Sequence, residues 1–306
     1  MKHYIARRVG YSLLSLLLLS ITIFLFIRLT GDPTALLTDP GASDEDIAAI
    51  RQKFGLDQSL WVQYGAFMVS LLHGDLGESF YYQTPVLNLY MDRLPYSLML
   101  ATAAMGFSLV IGIPTGILAA VNVGRFWDNA GKLFALLGLS LPSFLVGLLM
   151  ILLFSVYLGW LPSSGAGDLT HLLMPAFALG WYFAAAHMRL TRSSMLEVMG
   201  SEYIKLARLK GASEWHVIAK HAFKNALIPV VTLAGINLIN MINVAVVVET
   251  VFAWPGIGRL LYEGISFRDF PVVQGVVVIG GAMIVAVNLL VDILYAIVDP
   301  RIRLEK

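Results

Sequence analysis

The feature that most constrains this chain is a set of six apolar stretches, each about as long as a bilayer core is thick. They cover residues 9–29, 96–121, 133–158, 172–190, 226–248 and 272–298. A spanning helix needs about 20 mostly apolar residues, because lipid offers the backbone no hydrogen-bond partner and a helix satisfies its own. With 58% of residues hydrophobic and only 13% charged, a water-soluble domain could not cover the apolar surface. The expected fold is therefore an all-α membrane protein with six transmembrane helices. The fourth stretch is the weakest, since Pro175, His187 and Arg189 shorten its apolar part. The first follows Lys2, Arg7 and Arg8 in the manner of a secretory leader. It is long enough to span and no small-residue cleavage site follows it, so it reads as a retained helix.

Charge sets the expected orientation. Of the 21 Lys and Arg residues, all but Arg28, Arg51, Lys53, Arg93, Arg259 and Arg268 fall on one side of the six spans. Lysine and arginine favour cytoplasmic loops, so both termini should face the cytoplasm of a multi-pass protein. The segments then divide into a first helix at 1–29, an external segment at 30–95, and a five-helix region at 96–306. The external segment is too long for a plain turn. Ser43 followed by Asp46 reads as a capping box opening a short helix that Gly55 closes. Leu60, Tyr64, Phe67, Met68 and Leu71 recur at helical spacing and end near Gly74. This acidic helical cap either packs on the helix ends or offers a docking face to an external partner.

Between the fourth and fifth spans lies a polar, basic loop at about 197–225, which includes "ARLKGASEWHVIAKHAFKNALIP". Tyr203, Leu206, Ala207 and Lys210 share helical spacing, and Gly211 breaks the run. Ser213 can cap a new helix with Glu214 at its positive end. Trp215, Ile218, Ala219, Ala222 and Phe223 then form a second apolar stripe. Two short amphipathic helices joined at a glycine fit three uses. They could lie on anionic lipid, form a regulatory surface, or dock into a soluble partner and transmit its motion.

The loop is similar to the cytoplasmic "EAA" loop of permease subunits in binding-protein-dependent ABC importers, with Lys205, Leu206 and Ala207 at the E-A-A positions and Gly211 at the glycine. The form A-R-x-K-G resembles the peptide, glutathione and nickel branch. So do "GDP" at 31–33, "GDLGESF" at 74–80, "VVVETVFAWPGIGRLL" at 246–261, "RDFPVVQG" at 268–275 and "NLLVDILYAIVDPRIR" at 288–303. Their order and spacing run across nearly the whole chain. The resemblance implies a bacterial inner-membrane permease subunit importing dipeptides, oligopeptides or glutathione, with a nickel chelate as the alternative. It implies a second homologous permease, two ATPase subunits and an external solute-binding protein as partners. ATP and magnesium would sit on the ATPases, with no cofactor on this chain. It also makes the loop the coupling element, with Ala207, Arg208, Lys210, Gly211, Ala212, Ser213 and Trp215 against the ATPases or, for Arg208, Lys210 and Trp215, against lipid headgroups.

Polar residues inside the spans are costly in lipid and often functional. Asn237, Asn240 and Asn243, three apart in the fifth span, either line a passage or make interhelical hydrogen bonds. Asn288 and Asp292, four apart in the last span, share a face; Asn288 is a pathway candidate, and Asp292 reads first as a packing or ion-pair contact. Glu249, Trp254, Pro255 and Gly256 follow the fifth span as an outer gate, a contact for the binding protein, or an interfacial turn. Pro114, Pro142, Pro175 and Pro229 are expected to kink four spans.

The absences narrow the function further. Net charge is +1, which argues against nucleic acid, and there is no cysteine, which removes disulfides and thiolate chemistry. No G-x-x-x-x-G-K-[ST] loop and no H-E-x-x-H occur, so neither ATP binding nor zinc proteolysis by this chain is expected. The six histidines are scattered, and no metal site or catalytic residue is expected. A passive channel or an intramembrane enzyme is the competing class. The first has little use for the basic loop, and the second lacks a nucleophile–base pair at membrane depth.

Overall fold

The fold, a computed structural model, describes residues 2–29, 34, 38 and 43–298, without the side chains of 2–6, 53 and 290–298. The Asp292 side chain and the "PRIR" run therefore lie outside the described residues, as does the "GDP" of 31–33. Five helices are long and apolar enough to cross a membrane, or six if one bent pair counts as a span. The chain divides into two compact units, Met1–Arg93 with Leu260–Lys306 and Leu94–Arg259. The boundaries follow packing, so the described part of the 30–95 segment joins the two terminal helices.

In the first unit, α1 (Lys2–Leu29) packs along α12 (Phe270–Val298). Ile27 is buried against Phe270 and Val273. The external segment is helical as expected. α2 (Asp44–Lys53) opens on the capping box: Ser43 Oγ accepts from Asp46 N at 3.2 Å and Ser43 N donates to the Asp46 carboxylate at 3.1 Å. It closes at Gly55, whose φ of +63° suits a residue without Cβ. α3 (Leu60–Leu72) follows, and Tyr64 and Phe67 both meet the Phe24 ring of α1. A polar knot ties the "GDLGESF" and "RDFP" stretches together. Buried Asp269 accepts from Ser79 Oγ at 2.5 Å and from Tyr81 N at 3.0 Å, while Tyr82 donates to Glu263 of α11 (Ile257–Ser266) at 2.7 Å. Partial burial, then the Glu263 carboxylate, push the Tyr82 phenol up to about 12.

The second unit is built around α7 (Leu169–Met199), which packs against α5 (Phe126–Ser140), α6 (Ser143–Met150) and α10 (Phe223–Val251). α4 (Val86–Val121) enters this unit at Leu94 and crosses α7 closely. At Gly112 an added Cβ would stand 2.7 Å from the Ala184 carbonyl oxygen, and at Gly116 2.7 Å from that of Met188. Small residues four apart are what lets two membrane helices approach to backbone contact. α4 begins ten residues before the expected start at 96 and carries Pro95 and Pro114 in its interior.

The third span departs most from expectation. Instead of one helix over 133–158, α5 and α6 meet at a 104° bend, and α6 continues as a π-helix over Ile151–Tyr157. The cause is local. Pro142 has no N–H to extend the α5 ladder and pushes Leu141 to extended backbone at ψ 124°. At the start of α5, buried Asp128 ties three elements. It accepts from Arg192 Nε of α7 at 2.7 Å, from Lys132 Nζ at 2.8 Å and from Gly124 N of the preceding turn at 2.9 Å. Paired and fully bonded, a buried carboxylate is tolerated.

Candidate functional site

The polar loop folds as a corner. α8 (Glu202–Leu209) ends at Gly211, and a single turn, α9 (Glu214–His216), runs through a π-helix at Val217–Ala222 into α10. Gly211 sits at φ +81° with open space where a Cβ would point, so conformation alone requires glycine there. Ser213 caps α9 by accepting from His216 N at 3.4 Å. Arg208 reaches across the corner and donates two bonds to Glu214, at 3.1 Å from Nε and 2.6 Å from Nη2. That fork fixes the angle between the two helices and raises the Arg208 pKa above its ordinary value.

The corner has a buried root and an apolar tip. Ile204, Val217, Ala222 and Ala226 are buried with Ala120 of α4 and Met195 of α7, and Ala207 and Ala212 pack on that cluster. Facing out are Leu206, Leu209 (85% exposed) and Trp215 (77%). The stripe expected from Trp215 divides: Ala222 is buried and Ile218 and Phe223 pack on the cluster, Trp215 and Ala219 point outward, and Val217, outside that stripe, is buried. The π-helix causes the shift. Its i→i+5 bonding changes the phase of the side chains, and a stripe counted at 3.6 residues per turn runs out of register through it. Lys210 and Ser213 are exposed beside the tip.

The loop after α10 also differs from an exposed turn. Glu249 lies in the last turn of α10 and is fully buried. Its carboxylate accepts from Ser97 Oγ of α4 at 2.6 Å and from Arg259 N at 3.1 Å, and Ser97 Oγ in turn accepts from Ile257 N at 2.8 Å. Trp254 is buried and donates to the Tyr96 carbonyl at 3.0 Å. Gly256 lies so close to the Glu249 carboxyl that an added Cβ would overlap it. Glu249, Trp254 and Gly256 are therefore interior, and only Pro255 keeps partial exposure. The loop folds back as expected, but onto its own unit rather than outward to a binding protein. The turn after Glu249 looks interfacial until the distant Ser97 is seen to accept from Ile257 N.

Three of the four asparagines stay unpaired with other helices. Asn240 and Asn243 are exposed on α10, and Asn288 is exposed on α12. Asn237 is buried and approaches His187 Nε2 at 3.4 Å. His187, also buried, faces Ser108 Oγ of α4 at 3.2 Å through Nδ1. Since Ser108 donates to the Met105 carbonyl at 2.8 Å, it accepts from the ring, which assigns the proton to Nδ1 and leaves Nε2 to accept from Asn237. Asn237 thus takes the interhelical role, joining α4, α7 and α10. The sequence reading missed Ser108 and His187, and also Asp128 with Arg192. Leu209, an apolar residue inside a basic run, was the one visible signal of the exposed tip. Among the described residues no cluster of metal-ligating side chains is found.

Comparison with known proteins fits this geometry. Residues 112–304 match the family described as "Binding-protein-dependent transport system inner membrane component", and residues 1–101 match its N-terminal companion. A Brucella abortus (strain 2308) protein named for a peptide transport system permease is 43% identical over 98% of this chain and 99% of its own length. The glutathione transport system permease protein GsiC of Salmonella choleraesuis (strain SC-B67) is 40% identical over 99% of both chains. A crystal structure of an amino acid ABC transporter shares the fold, with a TM-score of 0.51 and 13% identity over 67% of this chain and 92% of that one. The chain belongs to the binding-protein-dependent inner membrane components, the permease subunits of ABC importers.

Proposed function

We propose that this subunit forms half of a pathway for short peptides, glutathione among them, and that the 201–229 corner receives the stroke of an ATPase. The cargo rests on the names of the two relatives, which favour peptides over a nickel chelate. The observation that carries the coupling role is the contrast within one corner. Its root is buried on α4 and α7, while Leu206, Leu209 and Trp215 stand in solvent. Exposed aromatic and aliphatic anchors on a buried base are what a protein partner fills its pocket with. In this reading Arg208 braces the corner and Ala207 and Ala212 seat it. Two ATPase subunits carry ATP and magnesium, a second permease completes the pathway, and a solute-binding protein delivers cargo from outside. The distribution of lysine and arginine supports cytoplasmic termini.

The experiment is Gly211→Pro in the assembled transporter reconstituted in vesicles. Proline holds φ near −65° and cannot occupy the +81° of Gly211. The expected result is loss of ATP-driven peptide uptake with normal insertion and normal assembly of the permease pair. Undiminished uptake overturns the coupling role.

A further inference from the structure

We propose that the groove between α5 and α7 is a binding site for one anionic phospholipid. The groove has a volume of about 920 Å³ and lies wholly within the second unit. Its floor lies where the two helices touch through small residues. At Gly138 an added Cβ would meet Ala185 Cβ at 2.5 Å, and at Gly131 it would overlap the end of Met188. The pairings Asp128 with Arg192 and Gly138 with Ala185 show that the helices run antiparallel. Charged and apolar lining residues are therefore sorted along the groove. Lys132, Arg189 and Arg192 stand at the end where α5 begins, and Leu136, Leu139 and Tyr182 line the rest.

That division has the shape of an amphiphile. The cationic end lies at headgroup level, since α5 starts there with Phe126 and Trp127 exposed, side chains of the kind that settle at a membrane interface. The lining holds no acidic side chain. Asp128 behind it neutralises one of the three cations, engaging Lys132 and Arg192 together. Arg189 makes no ion pair or hydrogen bond among the described residues, although it is exposed beside them. The site thus presents two net positive charges next to an apolar trough. A zwitterionic lipid would bring its own cation into that field, and a free phosphate would leave the trough empty. A phosphodiester on two acyl chains satisfies both ends, and basic pockets between membrane helices recognise such headgroups.

The test uses the intact transporter purified in mild detergent and titrated with dioleoylphosphatidylglycerol or dioleoylphosphatidylcholine, bound lipid being counted by native mass spectrometry. The anionic lipid should be retained in preference to the neutral one. Arg189→Gln, which removes no hydrogen bond or ion pair within the described residues, should weaken phosphatidylglycerol about fivefold, and Lys132→Gln with it about 25-fold, leaving phosphatidylcholine unchanged. Equal retention of both lipids, or no change in Arg189→Gln, overturns the proposal. So does inorganic phosphate displacing the lipid at matched concentration, which would mark a free-anion site. A photocrosslinker at position 136 should label lipid; labelling of another protein chain would show that the groove is a subunit interface instead.

Discussion

Gly256 and Glu249 provide a double-mutant test of the folded-back loop. In Gly256→Ala the new methyl occupies the space of the Glu249 carboxyl, which is held by Ser97 Oγ–H and Arg259 N–H. Carbon contacts need about 3.5 Å, so the carboxylate must leave. Its departure orphans two buried donors at about 1–3 kcal/mol each, giving a cost of about 4 kcal/mol. Glu249→Ala orphans the same two donors and should cost a similar amount. In the double variant the methyl enters space already vacated, so the two penalties are one penalty counted twice. The double should be about 4 kcal/mol less destabilised than the sum of the singles, above the usual range for touching residues because both singles lose the same two bonds. The assay is unfolding of the purified protein in mixed SDS micelles, followed by helical circular dichroism. Additivity within about 0.5 kcal/mol would refute the reasoning, because it would mean that Gly256 does not face that carboxylate.

Two further outcomes follow from polar contacts at helix starts. Asp128→Asn leaves Arg192 and Lys132 facing a neutral amide, and should destabilise the second unit by about 3 kcal/mol in the same assay; a change below about 1 kcal/mol would show that the buried pair is not a tie. Asp168 caps α7, and its carboxyl is held down at about 2 by the Thr170 hydroxyl first and His171 next. Its folded pKa is below the unfolded value, so the cap is complete above about pH 4 and is lost as pH falls through about 2. Amide exchange at Thr170 should accelerate across that window in the native protein, and Asp168→Asn should abolish the pH dependence.

What the sequence made legible was whatever depends on a few neighbouring residues. The apolar stretches declared themselves because lipid demands length and continuity. The Ser43 capping box, the helix ends at Gly55 and Gly74 and the break at Gly211 were all readable from local chemistry. The misreadings share a different cause. Pro142 announced a kink, but the 104° angle between α5 and α6 depends on what each packs against. Trp215 and Ala222 were set on one stripe by counting an α period through a segment that is π-helical. Glu249, Trp254 and Gly256 looked external because their burial depends on Ser97 and Tyr96, more than 150 residues away in sequence. Asp128 was passed over because its partner Arg192 is 64 residues on.

The π-helix at Val217–Ala222 carries a consequence for how the corner and α10 share motion. A π segment sets one more residue into each hydrogen-bonded loop than the α ladder on its C-terminal side. Were that surplus to pass along the chain, the tip would turn relative to α10 by about 100°, the angle of one α-helical residue. Val217 would leave its socket and another side chain would have to enter it. Movement of this kind comes in whole steps, like a gear tooth, with no half-seated position between them. On the proposed coupling role, a helix jointed in this way would deliver a push as a discrete rotation, whereas a smoothly bending rod would dissipate it along its length.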